Sequence, residues 1–296
     1  MRQGGAMITR RLAALRAAEP RSGTVDAPWT SALLNVLAIV GACVTIGVIA
    51  LGISDGQFGV PGGDVASYLA AGQRLVHGAQ VYTGAWNAPG TVYYAPPIIV
   101  AFSGLSFLPA VPVWLALCAV DLLGLRYVAG SWRAAGLWGL MPLTAFELVG
   151  GNPNIAIVAA ILLAARGSAG PLALATLVKL GPIFGLPLRG VRTFATWMLV
   201  ALAITIPWLA LWPQWVSYLL TAPLSGAWPV IVPLVVRAPI AIVLLALRKD
   251  WARMLAACLL IPGFYIVTAY STVILLVRLL VDLRAARLAS DQGEGR

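Results

Sequence analysis

The stretch TSALLNVLAIVGACVTIGVIALGI, Thr30 to Ile53, decides the class of this chain. It carries no charged residue and matches the ~17–25 apolar residues with which an α-helix crosses a hydrocarbon layer roughly 30 Å thick. Upstream stand Arg2, Arg10, Arg11, Arg16 and Arg21, followed by Pro28. Basic flanks stay on the cytoplasmic side, so residues 1–29 read as a cytoplasmic basic segment and the apolar run as an outward-going span. The run is too long for a signal-peptide core and lacks an A-x-A cleavage pattern, which makes it a retained anchor.

The rest of the chain repeats the theme. Hydrophobic residues make up 60% of the 296, charged residues 10%, and mean hydropathy is +0.91, more apolar surface than a soluble core absorbs. Further apolar stretches fall near 98–108, 113–129, 134–149, 155–165, 171–188, 193–212, 227–247 and 252–277. The expectation is an all-α integral membrane protein, a polytopic helical bundle of eight or nine membrane segments. It forms one domain over residues 30–278, with a polar tail at 279–296. The net charge of +10 lies at the chain ends and in short connections, a pattern of membrane orientation and not of nucleic-acid binding. Cys43, Cys118 and Cys258 all sit in apolar runs without metal-ligand or disulfide spacing, so neither a metal nor redox chemistry is indicated. No Walker loop, dinucleotide fingerprint, H-E-x-x-H or nucleophile elbow occurs, and no cofactor is implied.

Residues 54–95 form the longest connection, expected on the extracytoplasmic side, and long loops usually carry function. Within it DVASYLAAGQRLVHG predicts an interfacial helix: Val65, Leu69, Gly72 and Val76 fall on one side, and Asp64 and Tyr68 share another. Pro96-Pro97 then opens a segment too short for a full crossing, and Gly181-Pro182 interrupts the stretch from Pro171 to Leu188, which suggests a broken or re-entrant helix. Basic clusters stand at Arg189 with Arg192, at Arg248 with Lys249 and Arg253, and at Arg278 with Arg284 and Arg287. They cannot share one side of the membrane if every intervening segment crosses.

Ionisable groups in or beside spans cost roughly 2.5–3.5 kcal/mol at a helix centre, so each needs a reason. Asp64 offers a carboxylate at the outer interface, suited to general-base work, and its alternative is a helix N-cap after Gly62-Gly63. Lys179 either neutralises a lipid-linked phosphate or snorkels to the cytoplasm. Arg237 needs an anion, a carbonyl or a polar cavity, and its structural alternative is a pair with Asp121 or Glu147. Asp121 reads as a partner for Arg126, and Glu147, before Gly150-Gly151-Asn152-Pro153-Asn154, as a cavity wall or a turn. Arg74 and His77 stand ready for an anionic head group or are simply solvated.

These residues carry a resemblance. GGDVASYLAAGQRLVHGAQVY followed by VYYAPPIIVAFSGLSFLP resembles the first outer loop of glycosyltransferase family 87, membrane enzymes of the GT-C superfamily. Asp64, Tyr68, Ala71-Gly72, Gly78, Tyr82, Tyr94 and Pro96-Pro97 match its pattern in order. Downstream, GNPN at Gly151 to Asn154, ATLVKLGP at Ala175 to Pro182 and WVSYLLTAP at Trp215 to Pro223 are similar to later motifs, so that the resemblance covers about Thr30 to Arg237. It implies a GT-C fold and transfer of a hexose, most naturally mannose, from a polyprenyl-phosphate sugar donor to a glycolipid or cell-wall glycan acceptor. The reaction would run at the outer face of the cell membrane with inversion. Asp64 would be the base. Tyr68, Arg74, His77, Tyr82, Tyr94, Asn152, Asn154, Lys179 and Arg237 would bind substrate, with Arg237 and Arg74 ranked above Lys179 for the departing phosphate. Family members are usually longer, and SGAWPV at 225–230 replaces a G-N-Q-S stretch. A lipid or small-solute transporter, or a truncated non-catalytic partner subunit, are the alternatives.

Overall fold

Proline and glycine cut the apolar stretches into short helices. The computed structural model describes residues 28–55, 63–86, 90–223, 232–261 and 266–294. The basic N-terminal segment and SGAWPV lie outside the described residues. Among those described there are thirteen α-helices and no β-strand. In chain order they are α1 (Pro28–Asp55), α2 (Gly63–Val76), α3 (Pro96–Leu105), α4 (Ala110–Ala129), α5 (Trp132–Trp138), α6 (Pro142–Gly150), α7 (Asn154–Ala165), α8 (Gly170–Val178), α9 (Val191–Ile204), α10 (Leu211–Thr221), α11 (Leu234–Ala246), α12 (Asp250–Leu259) and α13 (Ile266–Glu294).

The all-helical class stands, but the count of eight or nine spans does not follow from helix length. Among the described residues α4 alone is long and apolar enough to cross a membrane, and α6 with α7 passes as a pair bent by 99°. The bend has a local cause. Gly151 adopts φ +70°, closing α6 with bonds from its amide to the Glu147 and Leu148 carbonyls, and Pro153 precedes the new helix. Helix α13 runs on from Ile266 to Glu294, through most of the polar tail expected from 279.

Long-range contacts fix the direction of each leg. Gly136 of α5 lies against the Ala38 carbonyl of α1, where a Cβ would stand 2.5 Å from that oxygen, and Thr45 Oγ1 reaches the Gly139 carbonyl at 3.3 Å. This is the close approach that small residues permit between packed helices. Arg133 meets Ser31 at 3.5 Å, so α1 and α5 rise together. Helices α4 and α7 run the other way, in parallel with each other: Asp121 of α4 binds the Ala156 amide, Gly124 packs on Ala156 and Ala159, and Tyr127 lies under the Arg166 guanidinium at 5.2 Å.

Residues 170–190 turn back on themselves. Helix α8 leaves Ala169, stops at Lys179, whose φ of −143° is extended, and a 3-10 segment at Gly181–Gly185 returns along Ala257 and Ile161. Gly190 then packs on Ala169, and Arg189 donates to the Ala165 carbonyl, so the segment starts and finishes at one level. Gly181 makes the return possible, since a Cβ there would lie 2.5 Å from the Ile261 nitrogen.

The basic residues consequently gather at one end of the bundle. Arg166 meets Asp282 at 3.3 Å, Arg278 packs against Gly130 and Asp282, and Asp250, beside Lys249 and Arg248, opens on the same recess as Arg166. One buried core surrounds α7 there, with Leu125, Ile161, Leu172, Met254 and Leu275. A second core, built on Val65, Leu69, Tyr94, Ile99, Trp114 and Trp215, occupies the opposite end and fastens α2 and α3 to the bundle. Gly72 sits there against the Phe102 carbonyl, 2.6 Å from where its Cβ would be.

Candidate functional site

The site grows from the end opposite Arg166, Arg189 and Arg278. Gly63–Val76 is helical as its apolar periodicity predicts, and Val65, Leu69 and Gly72 face the core. Asp64 lies in the first turn, a favoured place for an acid near the positive end of the helix dipole, and faces Gly150 at the end of α6, about 3.9 Å from that residue's missing Cβ. No side-chain hydrogen bond holds its carboxylate among the described residues, so the capping alternative is not the geometry found. The half-buried carboxylate is crowded by protein, and burial pushes its pKa from 3.8 up to about 6, with the Lys179 charge pulling the other way.

Around Asp64 the chain assembles a polar file. Lys179 Nζ, 4% exposed at the apex of the return at 170–190, donates to Asn154 Oδ1 at 2.6 Å. Asn154 Nδ2 donates to Glu147 Oε1 at 2.9 Å, and Ser271 Oγ from α13 lies 3.4 Å from the same oxygen. Asn154 and Glu147 are 1% and 0% exposed. The amide of Asn154 thus bridges the buried Lys179 amine and the buried Glu147 carboxyl, which do not touch directly. Glu147 Oε2 has no hydrogen-bond partner among the described residues.

Aromatic side chains close the outer side. Tyr68 and Tyr94 hydroxyls meet at 2.5 Å, and Tyr82 donates to the Tyr94 carbonyl at 2.9 Å. Burial raises the pKa of Tyr68, so both hydroxyls serve as neutral donors and acceptors. Trp86 stacks on Tyr93 at 4.8 Å between centroids, and Trp215 Nε1 binds the Tyr93 carbonyl at 2.9 Å. These rings, with Leu177, Lys179 and Leu219, line a slot of about 20 Å³, close to the space of one water. The Ala95 amide bonds the Leu177 carbonyl at 2.9 Å and ties the connection directly to the end of α8.

Asp64, Tyr68, Tyr94, Asn154 and Lys179 therefore meet as one group, with Tyr82 behind Tyr94. Arg74 stands aside, bonding the Val81 carbonyl at 3.3 Å, and His77 is exposed, with Nδ1 2.8 Å from the Gln73 carbonyl. Asn152 is half-buried in the α6–α7 turn, its amide on the Glu147 carbonyl at 3.2 Å. Arg237 departs most from its expected place. Its guanidinium binds the Leu259 and Ile261 carbonyls at the end of α12 and the Val232 carbonyl just before α11, so neither Asp121 nor Glu147 is its ion pair. Of Lys179, Arg74 and Arg237, Lys179 is the one whose charge acts on the Asp64 carboxylate. Asp121 also departs: it accepts from the Ala156 amide at 2.9 Å, while Arg126 lies 5.9 Å over Trp132. Five residues apart on a helix, Asp121 and Arg126 do not share a face. Sequence reading missed Trp86, Tyr93 and Trp215 as site residues; the density of rings in VYTGAW and VYY was the available signal.

No protein-family model, no curated protein and no solved structure matches the chain.

Proposed function

We propose that this chain is a multi-pass protein of the bacterial inner membrane that transfers a hexose from a polyprenyl-phosphate sugar to a glycolipid or cell-wall glycan at the outer face. The observation that carries the reading is the buried Lys179, which lines a slot walled by Trp86, Tyr93 and Trp215 and lies within electrostatic reach of the Asp64 carboxylate. Membrane embedding is supported by apolar side chains turned outward, among them Val36, Ile39 and Ile46 on α1 and Val235, Ile242 and Val243 on α11, all more than half exposed. Soluble monomers rarely present such continuous apolar surface. With residues 170–190 re-entrant, the clusters at Arg189, Arg248–Lys249 and Arg278 all fall on the cytoplasmic side together with the start of α1, which removes the conflict in the charge pattern. Asp64 then faces outward, in a GT-C-like arrangement.

In this reading Asp64 takes the proton of the acceptor hydroxyl as its oxygen forms a bond to the anomeric carbon. The bond from that carbon to the phosphate oxygen breaks with inversion, and the electron pair leaves with the phosphate. One N–H of Lys179 is held by Asn154, leaving two for the phosphate. Protonation of Asp64 removes a negative charge from the site as the phosphate gains one. The stacked rings suit the apolar face of a sugar, and the narrow slot requires them to part when it enters.

Membranes with Asp64→Asn, assayed with a radiolabelled polyprenyl-phosphate hexose, are expected to lose transfer at unchanged protein level. Undiminished transfer would sink the proposal. A transporter is the second reading, favoured by the buried file from Lys179 to Ser271; solute flux into proteoliposomes without glycoside formation distinguishes it.

A further inference from the structure

A second recess lies at the basic end, remote from Asp64, between the end of α7, the start of α12 and α13. It encloses about 260 Å³, near the lower bound of roughly 300 Å³ for ordinary ligand sites. Its wall is apolar, with Leu162, Met254 and Leu279, and its rim is charged, with Arg166, Asp250 and Asp282. Two carboxylates thus face one guanidinium. Asp282 is already held by Arg166 at 3.3 Å and by Arg278 at 3.0 Å. Asp250 has no ion pair among the described residues.

We propose that this recess binds a phospholipid of the cytoplasmic leaflet whose head carries a primary ammonium, the phosphatidylethanolamine class. The inference rests on the membrane placement above but not on sugar transfer. The apolar wall takes the upper acyl chain, Arg166 meets the phosphate, and the ammonium donates to Asp250. A purely anionic head would bring its charge against Asp250, since among the residues lining the recess Arg166 is the one cation and Arg248, Lys249 and Arg253 do not line it. A choline head fits worse because its quaternary nitrogen has no N–H to donate. Trp251, half-buried on the rim, supplies the amphipathic ring usual at a membrane interface.

The test uses the full chain reconstituted in nanodiscs of equal phosphatidylethanolamine and phosphatidylglycerol, with native mass spectrometry of retained lipid. Retention of phosphatidylethanolamine over phosphatidylglycerol is expected, weakened about tenfold by Asp250→Asn. Leu279→Trp fills the recess from its apolar wall and is expected to abolish retention, with helical content checked by circular dichroism. Equal retention of the two lipids, preference for phosphatidylglycerol, or no effect of either variant overturns the proposal while leaving membrane placement intact. A chain recovered soluble without detergent overturns both.

Discussion

Asn154→Ala removes the one side chain that joins Lys179 to Glu147, and its cost can be worked from the structure. Two hydrogen bonds to charged partners vanish, at 2.6 and 2.9 Å. Bonds of this kind are worth about 1.5–3 kcal/mol each. The partners are buried, so no water replaces the amide, and the loss is about 3–5 kcal/mol. For a chain of this size that lowers the Tm by roughly 6–10 °C. Thermal unfolding of the detergent-solubilised protein, followed by circular dichroism, reads the shift. A second variant separates satisfaction from mere packing. Lys179→Met, Glu147→Leu and Asn154→Leu together replace the polar file by apolar groups, and stability should return to within about 2 kcal/mol of the native chain, because desolvation of both charges is removed with them. Sugar transfer should not return. An Asn154→Ala protein melting within 2 °C of the parent, about the effect of a single 1 kcal/mol loss or less, would refute the reasoning, as would a triple variant that unfolds as readily as the single one.

The remaining predictions concern other links. Transfer should fall as pH drops through about 6, where Asp64 becomes protonated and can no longer accept a proton; a rate unchanged from pH 8 to 5 contradicts a base at this position. The same carboxyl has its pKa raised above the unfolded 3.8, so its ionisation works against folding as pH rises through about 6. Asp64→Asn should therefore raise the Tm at pH 8 relative to the parent and hardly at all at pH 4, measured by the same melts. Gly72→Val places a branched side chain where a Cβ already stands 2.6 Å from the Phe102 carbonyl oxygen; separation of α2 from α3 should cost about 1–3 kcal/mol and loosen Asp64, seen as faster amide exchange in 63–76. Arg166→Cys and Arg189→Cys should both label with an impermeant thiol reagent from the cytoplasmic side of inverted vesicles, and His77→Cys only from the other side. Labelling of Arg189→Cys from the outside rules out the re-entrant path of 170–190.

Much of the local structure was legible in order along the chain. Helix α2 follows from its apolar spacing, the break at Lys179 from Gly181-Pro182, and the α6–α7 turn from Gly150-Gly151-Asn152-Pro153, because each depends on backbone preferences of neighbouring residues. The expected span count does not follow from helix length for the same reason: hydropathy reports the solvent a stretch prefers and is silent on where its helix stops. The partners of buried charges were another matter. Arg237 and Lys179 both sit in apolar sequence near a proline, yet one binds two carbonyls at the end of α12 and one before α11, and the other donates to Asn154.

Sequence alone therefore determined that this chain is helical and apolar and that Asp64 opens an amphipathic helix, since composition and periodicity act through near neighbours and solvent. Only the tertiary structure decided which cation shares the site with Asp64. A buried charge is satisfied by whatever groups distant segments bring within about 3 Å, and that depends on the return of residues 170–190 toward α7, not on anything within a few residues of Lys179.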